Sequence, residues 1–526
     1  MKVDYSLYLV TDSTEPILKG RNLLEIVHAA IQGGVTIVQF RKKTGDTKDL
    51  IREAKELHTI TKAAGVPLLI NDRVDVAIAV GYIATARKLL GQDAIIGMTA
   101  SSIEEALRAA EDGADYLGLG TVFATPTKEN AKSIVGCAGI RTFLEALAPR
   151  FPDLPTVCIG GVNTTNIQRV IYQCRTPNKQ LSGVAIVSAI IAAPDPQQAA
   201  NTLKSLLTKP PPFSRPTPES TGTMPIDLDL LAVQVPLISQ ALFDAKSKPL
   251  CHNMTNMVVQ NIAANVAICI GGSPIMSSNG AEAADLAKLG GSLVINMGTV
   301  TSEQIKNNLA ALEAYNAVGG PVVLDPVGAG ATSARREAVK TLVGGGHFDL
   351  IKGNEAEIRA VAAAIAPPSN GTSIKEDSQQ KGVDSGPSTL SFQDQVKLVK
   401  TLALTLRSIV LMTGARDILS DGKRVVAIDN GHAYLGDITG SGCTLGTTTA
   451  AFLAVNREDG FMAVLTAVLC FEIAAERAAE RVGGPGSFVP AWLDELYLIR
   501  TGKTDWWTAA RVVDLSACIV LDDHEV

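Results

Sequence analysis

Apolar and polar positions alternate along the first 209 residues in a pattern of short strands and longer helices. The strands are mostly apolar runs with a polar residue near the carboxyl end, which is typical of buried parallel strands. The predicted strands are Leu7–Asp12, Thr36–Lys43, Pro67–Arg73, Ile95–Ala100, Tyr116–Val122, Thr156–Gly161 and Gly183–Ala189. Segments with helical periodicity, such as Leu50–Ala64 and Ile103–Asp112, fall between them. We therefore predict an α/β domain over residues 1–209, a TIM-type βα barrel whose polar strand ends collect at one face.

A second α/β pattern occupies residues 226–500. Its predicted strands are Leu293–Met297, Val322–Asp325, Leu350–Lys352, Ile409–Thr413 and Val425–Ile428, with helices between them. The segment 210–225 is rich in proline, which disfavours both helix and sheet, so we predict an extended linker there. The polar segment 367–391 is predicted to be a disordered insertion. Residues 501–526 are predicted to be a tail and are assigned no structure.

Composition and charge narrow the classes of function. The length of 526 residues suits two domains, and the 8 cysteines form no CxxC pair, which indicates buried thiols in a reducing compartment. A formal net charge of −6 argues against a nucleic-acid partner. The apolar stretch Leu465–Ala475 is short and contains Glu472, so we predict a buried helix rather than a membrane span. The chain begins without an apolar signal segment, and we expect a cytoplasmic protein.

A glycine-rich segment in the second domain carries the strongest chemical signal. The sequence DITGSGCTLG at residues 437–446 combines a tight turn with the start of a predicted helix at Cys443, and helix N-termini bind anions. Polar or glycine-rich residues also end successive strands, at 296–299, 325–332, 352–357 and 413–417. Such strand ends mark the ligand crevice of an open α/β sheet, and no Walker A motif is present. This pattern predicts phosphoryl transfer without a P-loop.

The motifs of this domain resemble those of one kinase family. The series GSPIM, NMGT, DPVGAGAT, GNEAE and GSGC, in this order between residues 272 and 443, resembles hydroxyethylthiazole kinases of the ribokinase-like superfamily. The resemblance implies phosphorylation of 4-methyl-5-(2-hydroxyethyl)thiazole, a thiazole alcohol, by ATP with Mg²⁺. It implies these site residues: Met276 and Gly440 for the alcohol, Arg335 and Thr413 for ATP, and Asn354 and Glu357 for Mg²⁺ through water. It also implies a homo-oligomer, a trimer or hexamer, because the family kinases are trimers with sites at subunit interfaces.

Cys443 has two possible roles. Many relatives in the superfamily carry an Asp here that takes the proton of the substrate hydroxyl. A thiol at a helix N-terminus can have a lowered pKa and can accept or relay that proton. Alternatively, Cys443 only shapes the pocket, because phosphoryl transfer depends mainly on positioning and charge neutralisation. The sequence leaves both roles open.

Polar residues at the strand ends of the first domain form a second candidate site. Alternation along the strand places Gln39, Arg41 and Lys43 on one side, so two cations can reach one anion. Asp72 ends the next strand and is a candidate Mg²⁺ ligand. The series QFRKK, NDR, TPTK, IGGV and VSAI, between residues 39 and 190, resembles thiamine-phosphate synthase. Bifunctional fungal-type proteins carry these two domains in this order.

The synthase resemblance implies a reaction and a set of ligands. The family condenses hydroxymethylpyrimidine diphosphate with thiazole phosphate, giving thiamine phosphate and pyrophosphate. The implied contacts to the pyrimidine diphosphate are Gln39, Arg41, Lys43, Asn71, Thr99 and Lys128. The implied contacts to the thiazole phosphate are Thr125, Pro126, Thr127, Gly161, Val187 and Ser188. Mg²⁺, Arg41, Lys43 and Lys128 would neutralise the departing diphosphate, so that the thiazole nitrogen captures the pyrimidine-methyl cation.

The first domain departs from the synthase pattern after residue 80. The family has a fourth strand, roughly Gly-Val-His-x-Gly-Gln-x-Asp, whereas here Val80-Gly81-Tyr82 leads directly into Ile83. The acidic residue of that strand is a second Mg²⁺ ligand in the family, and a barrel lacking a parallel strand cannot close its hydrogen bonds. Three explanations are open: a product that lacks a short coding segment, conversion of residues 75–83 into a strand, or a non-catalytic remnant. We expect a defective barrel and impaired synthesis.

Two other functions fit parts of this pattern. One is a kinase for the related hydroxymethylpyrimidine. The residues at 272–276 and Cys443 favour the thiazole over that pyrimidine as the substrate. The other is a monofunctional kinase whose barrel serves only as a scaffold for oligomers.

Overall fold

The chain folds into two compact α/β units. A computed structural model describes residues 3–42, 44–71, 87, 91, 94–125, 134–214, 226–246, 248–366, 390–502 and 505–517. The first unit ends at Pro211 and the second begins at Pro212. Most of the predicted linker and insertion, and the last nine residues, therefore lie outside the described residues.

The first unit is built on one parallel sheet of seven strands. They are β1 Leu7–Val10, β2 Ile37–Phe40, β3 Leu68–Ile70, β4 Gly97–Ala100, β5 Tyr116–Gly120, β6 Thr156–Ile159 and β7 Gly183–Ile186. Their order is β3-β2-β1-β7-β6-β5-β4, in which β1 lies between β2 and the last strand, as in a βα barrel. Within the described residues, β3 and β4 are the two edges and do not pair. All seven predicted strands are confirmed.

The helices of this unit cover one face of the sheet. They are α1 Glu15–Leu18, α2 Leu23–Gln32, α3 Thr47–Ala63, α4 Ile103–Glu111, α5 Gly136–Leu147, α6 Ile167–Cys174, α7 Ser188–Ile191 and α8 Pro196–Thr208. Ser102 caps α4, because its hydroxyl accepts the Glu105 amide hydrogen at 3.2 Å. Alternate strand residues such as Leu9 and Leu117 pack against these helices and form the main core.

The other face of the sheet encloses a smaller cluster with three tyrosines, Tyr5, Tyr8 and Tyr116. Tyr8 on β1 and Tyr116 on β5 have hydroxyl oxygens 2.7 Å apart, and the Gln39 amide nitrogen donates to the Tyr8 hydroxyl at 3.0 Å. The Tyr116 ring lies where a side chain at residue 97 would be, since a Cβ on Gly97 would lie 2.0 Å from it. Gly97 therefore makes room for this contact.

The second unit is built on a nine-stranded, mainly parallel sheet. The strands are β8 Leu250–Met254, β9 Ser273–Ile275, β10 Ser292–Asn296, β11 Val322–Asp325, β12 Leu350–Asn354, β13 Ile409–Thr413, β14 Asp417–Ser420, β15 Val425–Ile428 and β16 Val512–Asp514. Their order is β16-β15-β14-β13-β12-β11-β10-β8-β9, and β14 to β16 pair antiparallel. The five predicted strands are confirmed. The residues after 500 add β16 at one edge of the sheet.

Helices cover both faces of this sheet. The α-helices are α9 Leu228–Phe243, α10 Gln260–Cys269, α11 Ala283–Lys288, α12 Ser302–Val318, α13 Ser333–Gly345, α14 Glu355–Ile365, α15 Phe392–Leu406, α16 Ser441–Val455, α17 Gly460–Ala479 and α18 Pro485–Thr501. Short 3₁₀ helices span Gly280–Glu282, Ala433–Leu435 and Trp506–Ala509. The predicted buried helix is confirmed, because Leu465–Ala475 lies in the core within α17. In the described part of the chain, no helix is long and apolar enough to span a bilayer.

Candidate functional site

The N-terminus of α16 lies against the carboxyl ends of the central strands of the kinase-like unit. Gly440 caps this helix with φ 90°, and a Cβ there would lie 2.6 Å from Val259, so only glycine fits. A Cβ on Gly442 would lie 3.9 Å from the Lys352 ammonium, and one on Gly446 would lie 3.9 Å from an Asp325 carboxylate oxygen. Among the described residues, no side chain caps the first turn of α16. Its amides are therefore available to an anion beside the ends of β11 and β12.

A buried ion pair forms the floor of this crevice. The Lys352 ammonium lies 2.8 Å from Asp325, and both side chains are almost wholly buried. The Asn296 amide nitrogen donates to the other Asp325 oxygen at 2.7 Å. Desolvation alone would lower the pKa of Lys352, but the Asp325 carboxylate and its hydrogen bond outweigh it and leave the pKa raised. Lys352 is therefore a fixed positive charge below the helix N-terminus.

Cys443 faces two amide donors at the same end of α16. The Asn296 amide nitrogen donates to the Cys443 sulfur at 3.2 Å, and the Asn256 amide nitrogen does so at 3.7 Å. Burial raises the pKa of Cys443 to about 12, and the Asp325 carboxylate raises it further, although Lys352 and the amides oppose this. The lowered pKa expected at a helix N-terminus is therefore not found, because burial and Asp325 outweigh the favourable donors. Cys443 is a neutral thiol at neutral pH.

Glu357 joins the start of α14 to the loop after β11. One carboxylate oxygen accepts the Gly328 amide hydrogen at 2.8 Å, and the other accepts the Asn354 amide hydrogen at 2.9 Å. The Asn354 side chain accepts the Glu357 amide hydrogen in return, which completes a capping box. Burial, and then the Asp325 carboxylate, raise the pKa of Glu357 to about 7. Each oxygen keeps a lone pair, so this carboxylate fits a hydrated Mg²⁺ held through water.

Arg335 binds three backbone carbonyl groups. Its guanidinium donates to the carbonyl oxygens of Met297, Val327 and Gly298 at 2.8, 2.7 and 2.9 Å. It thus ties the ends of β10 and β11 together through the backbone. Lys352 is a cation at the crevice that the sequence pattern did not assign to the site. The available signal was its place at the end of a predicted apolar strand, directly before GNEAE.

The strand order separates the two ligand positions expected for a kinase. Met276 follows β9, at one edge of the sheet, whereas Thr413 ends β13 beyond β12. Thr413 lies beside Asn354 in the β12–β13 register. The first turn of α16 lies over β10 to β12, between these two positions. His252 is a fully buried residue of β8.

The described candidate residues of the first unit gather at the carboxyl ends of its strands. Gln39 and Thr99 lie near the ends of β2 and β4, while Arg41, Asn71, Thr125, Gly161, Val187 and Ser188 follow their strands. Arg41 approaches the Asp12 carboxylate at 3.7 Å, a partner that the sequence pattern did not predict. Lys43, Asp72, Pro126, Thr127 and Lys128 lie outside the described residues.

Comparison with known proteins identifies both units. Residues 7–190 match the thiamine monophosphate synthase family model, and residues 243–501 match the model of the hydroxyethylthiazole kinase family. The "Probable thiamine biosynthetic bifunctional enzyme" of Schizosaccharomyces pombe is 40% identical over 534 residues, covering 97% of this chain and 99% of that protein. The "Thiamine biosynthetic bifunctional enzyme" of Saccharomyces cerevisiae is 36% identical over 552 residues, covering 97% and 98%.

A relative with the kinase half alone is also similar. The "Hydroxyethylthiazole kinase" of Moorella thermoacetica is 41% identical over 252 residues, covering 48% of this chain and 88% of that protein. The matches favour the bifunctional assignment over a pyrimidine kinase and over a kinase with a purely structural barrel. This chain belongs to the family of bifunctional thiamine biosynthetic enzymes, with a thiamine-phosphate synthase domain followed by a hydroxyethylthiazole kinase domain.

Proposed function

We propose that the second unit transfers the γ-phosphoryl group of ATP to the thiazole alcohol at the N-terminus of α16. The observation that carries this proposal is the uncapped first turn of α16 above the buried Lys352. Phosphoryl transfer needs fixed donors around a group whose charge is spread over several oxygens. The amides at 441–443 supply such donors, and the Lys352 ammonium supplies a charge that requires no rearrangement.

A comparison of two alcohol substrates tests this assignment directly. The purified chain is incubated with ATP, Mg²⁺ and either the thiazole alcohol or hydroxymethylpyrimidine, and the phosphorylated products are measured by mass spectrometry. We expect thiazole phosphate and ADP in equal amounts, with little pyrimidine phosphate. Faster phosphorylation of the pyrimidine would contradict the substrate assignment.

The order of strands supports an order of ligands along the crevice. The alcohol would contact Met276 and Gly440 at the β8–β9 side, and ATP would contact Thr413 at the β13 side. ATP would also contact Arg335, whose guanidinium lies at the ends of β10 and β11. Mg²⁺ would be held through water by Glu357 beside Asn354, where it would neutralise charge on the phosphate oxygens.

Cys443→Ala is expected to retain thiazole kinase turnover within about tenfold of the unaltered chain. A thiol with a pKa near 12 is a poor proton acceptor at neutral pH, and positioning supplies most of the catalysis. Steady-state kcat and kcat/KM for the alcohol measure this effect. A general base contributes roughly 10²–10⁴-fold, so a loss of that size would instead assign the base role to Cys443. Cys443→Ser, which keeps a polar group of similar size, serves as the control.

The first unit would carry out the second reaction of the pathway. The diphosphate of the pyrimidine would lie at Gln39, Arg41, Lys43, Asn71, Thr99 and Lys128, with Mg²⁺ at Asp72. The thiazole phosphate would lie at Thr125, Pro126, Thr127, Gly161, Val187 and Ser188. Convergence of the described members of both sets at one end of the sheet supports this placement. The product of the kinase is then the substrate of the synthase.

The assembly would be a homo-oligomer, a trimer or hexamer, in the cytoplasm. Met257 and Val258 directly follow the site residue Asn256, and they are 83% and 73% exposed. Exposed apolar side chains beside a site are typical of subunit interfaces.

We expect Val258→Asp to give a smaller species in light scattering and to lower kinase activity. Leu289→Asp, which replaces a similarly exposed apolar residue elsewhere, is the control.

A further inference from the structure

Two buried carboxyl groups lie behind the loop that follows β13. Asp417 begins β14 and is 4% exposed, and Glu472 lies in the middle of the apolar helix α17 and is 7% exposed. One oxygen of each, Asp417 Oδ2 and Glu472 Oε2, is fully buried and accepts no hydrogen bond from a donor in the described part of the chain. Two ionised carboxylates cannot share a dry site stably, because like charges repel strongly there.

A single shared proton satisfies both orphaned oxygens. Burial and the neighbouring Asp417 carboxylate raise the pKa of Glu472 far above its usual range. Burial also raises the pKa of Asp417 to about 6, opposed by the Gly414 amide, by Glu472 and by Lys352. Glu472 is therefore the protonated partner at neutral pH, and its O–H donates to the Asp417 carboxylate.

The charged member of this pair acts on the candidate nucleotide loop. The other Asp417 oxygen accepts the Gly414 amide hydrogen at 2.9 Å, directly after Thr413. On the outer side of the same loop, Arg416 pairs with Asp429 through two hydrogen bonds of 2.5 and 2.7 Å. The loop between β13 and β14 is thus held from inside by Asp417 and from outside by Asp429.

We infer that Asp417 and Glu472 share one proton and thereby hold residues 413–416 in the shape that receives ATP. Glu472 is then a positioning residue, which acts on the nucleotide through Asp417 and Gly414. This inference rests on the proposed placement of ATP at Thr413. Other charged groups face the pair from three elements: Lys352 on β12, Glu476 on α17 and Arg511 before β16. Glu476 is itself bonded to Arg511 and to the Gly431 amide.

Matched variants of Glu472 test this inference by ATP binding. We expect Glu472→Ala to raise the dissociation constant for ATP about tenfold, because the buried Asp417 carboxylate loses its hydrogen-bond donor. The KM for the thiazole alcohol should not change. Glu472→Gln, which can donate to Asp417 without a titrating proton, should bind ATP as the unaltered chain does. Thr466→Val removes a buried hydroxyl bonded within the same helix and controls for disturbance of α17.

The pH dependence of ATP affinity distinguishes a positioning role of the Glu472 proton from a role of Glu472 in packing alone. The folded chain holds the Glu472 proton more tightly than the unfolded chain does, so the free energy of unfolding should fall as the pH rises from about 4.5, the ordinary pKa of Glu, up to the folded pKa. The affinity for ATP depends on the folded chain alone and should fall only as the pH passes the folded pKa, in the alkaline range. In Glu472→Gln this alkaline fall in ATP affinity should disappear. Equal alkaline falls in both proteins would overturn the inference, as would unchanged ATP affinity in Glu472→Ala.

Infrared spectroscopy tests the shared proton without any assay of activity. The unaltered chain should show carbonyl stretching intensity from protonated carboxylic acids at neutral pH, to which Glu357 also contributes, and Glu472→Gln should lose the Glu472 part of that intensity. Persistence of the full band in Glu472→Gln overturns the shared proton even if Glu472→Ala does not fold. If the unaltered chain instead makes no thiazole phosphate, the proposed function fails while the band still reports on the pair.

Discussion

Lys352→Met is expected to lower the kcat/KM of the thiazole kinase at least about a thousandfold. Loss of one preorganised donor to a developing anion costs about 10²–10³ in rate. The Asp325 carboxylate, 2.8 Å from Lys352, would also be left as an unpaired buried charge that repels the phosphates. Initial rates of thiazole phosphate formation at varied ATP measure the effect. The synthase rate of the same preparation should not change.

Two further variants separate catalysis from stability in this experiment. Lys352→Met with Asp325→Asn removes both charges, so thermal unfolding should recover towards the unaltered value while turnover should not. Lys340→Met removes an exposed lysine of α13 and should leave turnover unchanged. Activity of Lys352→Met within tenfold of the unaltered chain would contradict a direct role for this ammonium.

Insertion of the family segment Gly-Val-His-x-Gly-Gln-x-Asp between Tyr82 and Ile83 is expected to raise synthase activity about a hundredfold or more. The inserted Asp would supply a second carboxylate for Mg²⁺, and metal stabilisation of a leaving diphosphate contributes several kcal/mol. The inserted strand would also give β3 and β4, the two sheet edges among the described residues, a common partner. Thiamine phosphate formation from purified substrates is the measurement.

Controls for the insertion distinguish the strand from the metal ligand. An insertion of the same length made of Gly and Ser should give no gain, and the family segment with Asn in place of its Asp should give only part of the gain. The kinase rate serves as an internal standard in each protein. Rapid synthesis by the unaltered chain would refute our proposal that its synthase is impaired.

Strand positions could be predicted because their residues show the simplest pattern. Val322–Asp325 and Ile409–Thr413 have the same bounds in the sequence prediction and in the structure. Parallel strands buried on both faces are continuous apolar runs, and few other structures produce such runs. β8 was missed because its residues include His252 and Asn253, which are polar and yet buried. β16 was missed because its pairing with β15 depends on residues far away in the chain.

The chemistry of single residues was harder to predict than the fold. The glycine-rich turn before α16 could be predicted, because its glycines and the start of the helix are adjacent in the sequence. The separate roles of Arg335 and Lys352 depend on which neighbours each side chain meets, and both are cations near glycine-rich strand ends. The pKa of Cys443 likewise depends on burial and on Asp325, which the local sequence around 443 does not contain. Tertiary contacts therefore decide what the motif alone leaves open.

The contact between Tyr8 and Tyr116 affects how the synthase domain tolerates variation. These residues lie on β1 and β5, which are separated in the sheet by β7 and β6, and their hydroxyls meet across its concave side. This contact helps to hold the bend of the sheet from inside, and Gly97 provides the room for it. Insertions and deletions at the edges of the sheet can therefore accumulate while the rest of the sheet keeps its curvature. Such a scaffold could lose and regain a strand during evolution without losing its framework.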